Sequence, residues 1–203
     1  MNRRVEQAAR TRLDILRAAR ATFARDGYRG ATMTEIAAEA GVSVQTIYDS
    51  VGNKAALLEQ IVDGMDAEID IPELLAELPT LTEPRELIRW SLTLSGRFLE
   101  RTGDIIRALA TTGGDEAILA IREEGRKRHR SGTLQVATRI VDHAGLDLDD
   151  AEFNRRAALL SVTTDVMHMV ELTEAYGWTV DEVRRALEDM LVPMMTAPPP
   201  GTS

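Results

Sequence analysis

The 203-residue chain has no cysteine. A disulfide framework, a thiolate nucleophile and a Cys-built zinc or iron–sulfur site are therefore excluded. Its three histidines, His129, His143 and His168, lie far apart in sequence and give little support to a metal site; no cofactor is expected. Aromatic residues make up only 4% and prolines number seven. A sandwich or barrel would need more aromatic and β-branched side chains, whereas abundant Ala and Leu favour helices. No apolar run reaches the roughly 18 residues that span a bilayer, and the Arg-rich N-terminus lacks the apolar stretch of a signal peptide. A cytoplasmic chain with no membrane partner is the expectation.

What is present is the balance of a globular protein, 44% hydrophobic and 28% charged. The chain is long enough for one domain, or for one domain and a small module. The net charge of −9 argues, taken whole, against nucleic acid. Its distribution argues the other way. Residues 1–30 carry eight Arg against Glu6, Asp14 and Asp26, a net of +5, while residues 61–203 carry a net of −11. A basic end that meets a polyanion would produce this asymmetry; so would an ordinary solvated basic helix.

Punctuation divides the chain into nine expected helices and no strand. The first covers about residues 5–25, with an apolar stripe of Leu13, Ile15, Leu16, Ala19 and Phe23, and stops at Gly27, a residue suited to the positive φ of a helix end. Thr32 and Glu35 have the spacing of a capping box and open a short helix that ends at Gly41. Ser43 caps another, ending at Gly52, and residues 54–69 form a fourth. Pro72, Pro79 and Pro84 mark a looser connection; Thr82 then caps a helix to residue 101, closed by Gly103, and Asp104 starts a short one ending at Gly113. A long helix over residues 115–144 is weakened by Gly125 and Gly132. Asp149 starts a helix to residue 176, Thr179 and Glu182 form a second capping box, and the last helix ends near Pro193. The tail over residues 197–203 is expected to be disordered.

The informative constellation is Ala37, Gly41 and Ile47. In a helix-turn-helix a small residue lets two helices approach, a Gly permits positive φ in the turn, and an aliphatic residue anchors the second helix. Ile36, Val42 and Ile47 would supply the shared core. The fuller string YRGATMTEIAAEAGVSVQTIY over residues 28–48, followed by Val51, Lys54, Leu57 and Leu58, resembles the N-terminal domain of TetR-family transcriptional regulators. The match covers about residues 10–60. More loosely, Thr163 to Val166 and Tyr176 to Thr179 look similar to the corresponding helix and junction of an actinobacterial-type branch.

The resemblance implies an all-α, nine-helix TetR-like architecture. A three-helix helix-turn-helix domain would occupy residues 1–52, with the helix at 54–69 connecting, and a helical ligand-binding and dimerisation domain would occupy 53–196. It implies that the helix from Ser43 to Ser50 enters the major groove of a double-stranded, palindromic operator. Val44, Gln45, Tyr48 and Ser50 match positions that touch bases, Gln45 being able to pair bidentately with an adenine, and Thr34 matches another. Thr32, Thr46 and Lys54 match phosphate-contacting positions, beside the amides of the Ser43-capped helix end; Tyr48 fits either role. Val51 stands where an aromatic is more usual, and Asp49 puts a carboxylate near the duplex, either accepting from a cytosine amino group or pointing away. The Arg-rich segment 2–12 either follows the DNA or merely extends a helix.

For the acidic body the resemblance implies a pocket for a small-molecule effector and a homodimer through helices at about 150–176 and 180–195. Leu159, Leu160, Val166, Met169, Leu172, Val183, Leu187, Met190 and Leu191 offer apolar surface for that pairing, or for the intrachain core. On the long helix, Ile118, Ile121, Val136 and Ile140 define an apolar face that Arg128 and His129 interrupt between Gly125 and Gly132. A charge facing a core is costly unless paired. His129, with Arg128, is therefore expected to meet a polar group of the ligand, with Asp165 and His168 on the other wall and Trp90, Leu94 and Phe98 as apolar lining. The expected activity is that of a repressor, not an enzyme. The rival reading is a helical small-molecule-binding protein or enzyme without sequence-specific DNA binding; against it, no nucleophile–base pair, phosphate loop or HExxH-type motif is found.

Overall fold

The computed structural model describes residues 3–110 and 116–199. Among these the chain forms ten α-helices and no strand: α1 (Arg3–Gly30), α2 (Met33–Ala40), α3 (Val44–Ser50), α4 (Lys54–Glu68), α5 (Ile71–Glu77), α6 (Pro84–Ala110), α7 (Glu116–His143), α8 (Asp150–Thr163), α9 (Val166–Glu174) and α10 (Val180–Thr196). A 3₁₀ turn, Leu78–Thr80, follows α5. Among the described residues no helix is long and apolar enough to cross a membrane.

The capping chemistry read from the sequence sets most of these boundaries. Thr32 accepts from the Glu35 amide while Glu35 reaches back to the Thr32 amide, and Gly41 closes α2 at φ +65°. Ser43 caps α3, Asp149 caps α8 through the Glu152 amide, and Thr179 with Glu182 forms the box that opens α10. Gly27, at φ +70°, interrupts α1 where the first helix was expected to stop.

Other boundaries differ, each for a physical reason. The connection among the prolines contains α5, because Pro72 sits in its first turn, where a missing N–H leaves no bond unmade. The helices expected to end at residue 101 and to restart at Asp104 are one helix, α6. Gly103 is not among the positive-φ glycines, and the buried Thr102 hydroxyl donates to the Phe98 carbonyl at 2.7 Å within the helix. That helix begins at Pro84, not after a Thr82 cap. The helix expected over 150–176 is two, because the Asp165 carboxylate accepts from the Met167 amide at 2.8 Å and starts α9. Finally, α10 runs past Pro193 to Thr196. Buried Arg156 donates to the carbonyls of Met195 at 3.1 Å and Ala197 at 2.8 Å, supplying donors that the helix end lacks. The expected helix end at Gly113, Asp115 and residues 200–203 of the tail lie outside the described residues.

The chain divides into two compact units, Met1–Asp66 with Asp104–Arg122, and Ala67–Gly103 with Glu123–Ser203. In the first, α1 packs on α2 and α3, and α2 on α3. Ile15, Ala19, Phe23, Ile36, Ile47 and Leu57 are fully buried there. Phe23 and Tyr28 form a tilted ring pair at 5.3 Å. In the second unit, Leu87, Ile88 and Leu92 of α6, Ile140 of α7, Leu160 of α8, Met169 of α9 and Val183, Leu191 and Met195 of α10 are fully buried. Several polar links join its helices. The Trp90 indole donates to the Leu74 carbonyl at 2.9 Å, Ser95 to the Thr164 carbonyl at 2.5 Å, and Arg139 to the Leu81 carbonyl at 2.9 Å. Arg85 and Arg89 both donate to Glu188. Gly96 admits α10 closely: a Cβ there would lie 3.1 Å from Val180 Cγ1.

Candidate nucleic-acid interface

The seven-residue α3 is too short to stand alone, so its orientation comes from its anchors. Ile47 points inward and is fully buried. Ser43 Oγ accepts from the Thr46 amide at 3.0 Å and shares a hydrogen bond with Thr46 Oγ1 at 2.8 Å. At the other end Arg12 Nη1 of α1 donates to the Ser50 carbonyl at 2.6 Å, a cation at a helix C-terminus where the dipole favours it. With these contacts holding α3, Gln45, Tyr48 and Asp49, at i, i+3 and i+4, form its exposed face. Val44, Thr46 and Ser50 are half-buried at its margins, and Thr34 is exposed in the first turn of α2.

Two residues matched to phosphate contacts have work within the domain. The Thr32 hydroxyl accepts from the Glu35 amide and donates to Glu35 Oε2 at 2.7 Å. The Lys54 ammonium donates to the Ala31 carbonyl at 2.6 Å and lies 4.6 Å from the centre of the Tyr28 ring. Lys54 thus fastens the start of α4 to the turn before α2. The Arg-rich start of the chain is helical from Arg3 onward.

Three contacts of this unit were not expected from the sequence: Arg12 to Ser50, Gln45 to Asp49, and Arg20 to Asp104. The Gln45 Nε2–Asp49 Oδ1 bond, 2.8 Å long, has an i,i+4 signature that was there to be found. The other two join residues distant in sequence and leave no local signal. Arg20 grips both oxygens of Asp104 at 2.7 and 2.8 Å. Burial pushes the Asp104 carboxyl up, but the Arg20 hydrogen bonds and charge and the Ile105 amide outweigh it, and it sits below the usual carboxylate range.

The residues expected from helix faces to line an effector site all lie in the second unit, with mixed placement. Leu94, Phe98 and His129 are half-buried, while Arg128 and His168 are exposed. Trp90 is buried and holds α5 through its indole. His129 Nε2 lies 2.8 Å from the Ser161 carbonyl, tying α7 to α8, and Asp165 is the cap of α9. Gly125 and Gly132, expected to leave room beside the cation pair, face open space. Among the described residues no group of His, Asp and Glu is arranged to hold a metal ion.

Residues 15–61 match the family described as bacterial regulatory proteins, tetR family. The HTH-type transcriptional repressor NicS of Pseudomonas putida is 27% identical over 142 residues, 70% of this chain and 66% of the repressor; the chain thus spans just under two thirds of that relative's length. Two solved structures share the fold. FadR of Bacillus subtilis, a transcriptional regulator in complex with stearoyl-CoA, superposes with a TM-score of 0.69 at 18% identity, over 89% of this chain and 97% of that one. AibR, in complex with isovaleryl coenzyme A and operator DNA, superposes with a TM-score of 0.61 at 20% identity, over 90% and 98%. Residues 15–61 thus match the helix-turn-helix domain of the tetR family, and the helical chain as a whole shares the fold of these solved regulators.

Proposed function

We propose that the protein is a ligand-responsive DNA-binding transcriptional regulator, a repressor released from a palindromic operator by a small-molecule effector. The observation that carries this reading is the division of α3 into one buried anchor, Ile47, and an exposed face of Gln45, Tyr48 and Asp49. Residues 1–52 would read DNA and 53–196 would bind the effector and pair the subunits, in the cytoplasm and without catalysis. The DNA contacts would come from Thr34, Ser43, Val44, Gln45, Thr46, Tyr48 and Ser50, with Thr32 and Lys54 positioning the helices.

A homodimer would place two copies of α3 in major grooves about one turn, roughly 34–36 Å, apart. Exposed Leu159 and Val162 on α8 and Met190 on α10 support pairing through these helices. The effector region would draw on Leu94, Phe98, Arg128, His129 and His168. Relatives of the same fold were solved with acyl-coenzyme A ligands, which supports an acyl thioester as the first effector class to try. Both α6 and α7 contribute residues to both units, changing over at Gly103–Asp104 and Arg122–Glu123. An effector that prefers one arrangement of these helices would shift operator affinity by its differential binding.

The test is binding of the purified protein to the DNA upstream of its own gene, titrated across salt, beside a Gln45→Ala/Tyr48→Ala variant. Tight binding of a palindrome that weakens steeply with salt and is lost in the variant is the expected result. Equal binding of all duplexes at every salt concentration sinks the reading in favour of a small-molecule-binding protein.

A further inference from the structure

Asp49 is the only acidic residue of α3 and, by ordinary rules, misplaced. It occupies the penultimate position, where the helix dipole disfavours negative charge, on a face offered to a polyanion. Yet it is engaged, because Gln45 Nε2 donates to Asp49 Oδ1 at 2.8 Å across one helical turn. An ionised carboxylate can only accept, so this bond decides which way the Gln45 amide faces. One N–H is taken by Asp49; the oxygen and the second N–H remain. Adenine presents a donor at N6 and an acceptor at N7, the complement of that pair. Guanine presents two acceptors, O6 and N7, and one of them would confront the Gln45 oxygen.

The geometry points to Asp49 as a positioning residue for base reading: by holding the Gln45 amide nitrogen it makes Gln45 select adenine over guanine at one position of each half-site. This rests on the DNA-binding function proposed above. Asn at position 49 would release the lock, since a neutral amide both donates and accepts and leaves Gln45 free to turn over. The carboxylate also repels the lone pairs of a guanine placed beside it, reinforcing the same choice.

The full-length protein, Asp49→Asn and Gln45→Ala are each tested on duplexes selected by the native protein from a randomised pool, with every adenine of the half-site changed in turn to guanine. One position should show a native preference for adenine on the order of tenfold that disappears in both variants, while preferences elsewhere persist. Full retention of that preference in Asp49→Asn overturns the inference, as does equal loss at every position, which would mark a merely structural role. A second readout needs no DNA: the Gln45 side-chain amide resonances of the free protein should move on Asp49→Asn, and unchanged resonances overturn the lock. If the native protein enriches no sequence, the DNA-binding function fails and the inference with it. A clear operator read without Asp49 fails the inference alone.

Discussion

Neighbouring residues of α3 should respond oppositely to truncation. Ile47 is fully buried and Tyr48 is 49% exposed, though they differ by one step of the helix. Ile47→Ala removes three buried carbons and leaves a cavity that the short helix cannot easily collapse to fill. The expected cost is about 2–5 kcal/mol, a large share of the roughly 5–15 kcal/mol by which a domain is stable. For a chain of this length that is a fall of about 5–15 °C in Tm. Tyr48→Ala deletes a ring that is half exposed, and its cost should stay below about 1 kcal/mol. Operator affinity should reverse the order. At a temperature where both variants are folded, Tyr48→Ala should weaken binding on the order of tenfold, the value of one good base contact, and Ile47→Ala much less. Thermal and urea unfolding followed by circular dichroism, with fluorescence anisotropy on labelled duplex, measure the two effects. If Tyr48→Ala destabilises as much as Ile47→Ala, α3 is rotated from the orientation described and its proposed reading face is wrong.

Arg20→Ala should lower stability at neutral pH, and its effect should depend on pH with a definite sign. The Asp104 carboxyl is depressed in the folded protein, so its contribution is present above the unfolded value of about 3.9 and lost as pH falls through the folded value. The gap between native and Arg20→Ala should therefore hold from about pH 8 to pH 5 and close below about pH 4 in a stability–pH series; a gap that widens on acidification contradicts the pairing. Arg156→Met leaves two carbonyls at the end of α10 without their donor. It should cost roughly 2–3 kcal/mol and speed amide exchange in the last turn of α10, whereas unchanged exchange there would deny Arg156 its capping role. Trp90→Phe should cost about 0.5–1.5 kcal/mol by removing the indole donor from the Leu74 carbonyl, which keeps the Leu78 amide. It should also remove the buried-Trp component of the fluorescence, leaving only Trp178, 40% exposed; a loss confined to fluorescence, with Tm unchanged, would show the bond to be immaterial.

What could be read in the sequence follows from the range of the interactions involved. Caps are decided within three residues, so Thr32, Ser43, Asp149 and Thr179 announced their helices. Breaks decided by tertiary partners did not announce themselves. Gly103 and Pro193 are local stop signals, yet Thr102 beside Gly103 is fully buried in a continuous α6, and a distant Arg156 supplies donors to the Met195 and Ala197 carbonyls beyond Pro193. Asp165 shows the converse, a local capping signal passed over because the periodic apolar pattern continued across it.

The same distinction governs the candidate site. Ile47 was readable as core because its spacing from Ala37 and Gly41 constrains one side of a short helix, and the opposite face follows by geometry. Lys54 and His129 were not readable. Each is a polar side chain whose role depends on a carbonyl distant in sequence, Ala31 for Lys54 and Ser161 for His129. A polar side chain near a functional surface has two ways to satisfy itself, by ligand or by backbone, and sequence spacing does not separate them. Asp49 lies between these cases. Its partner Gln45 is only four residues away, so the lock was within reach of sequence reasoning. The charge of Asp49 points toward DNA, whereas its i,i+4 spacing points to its own helix.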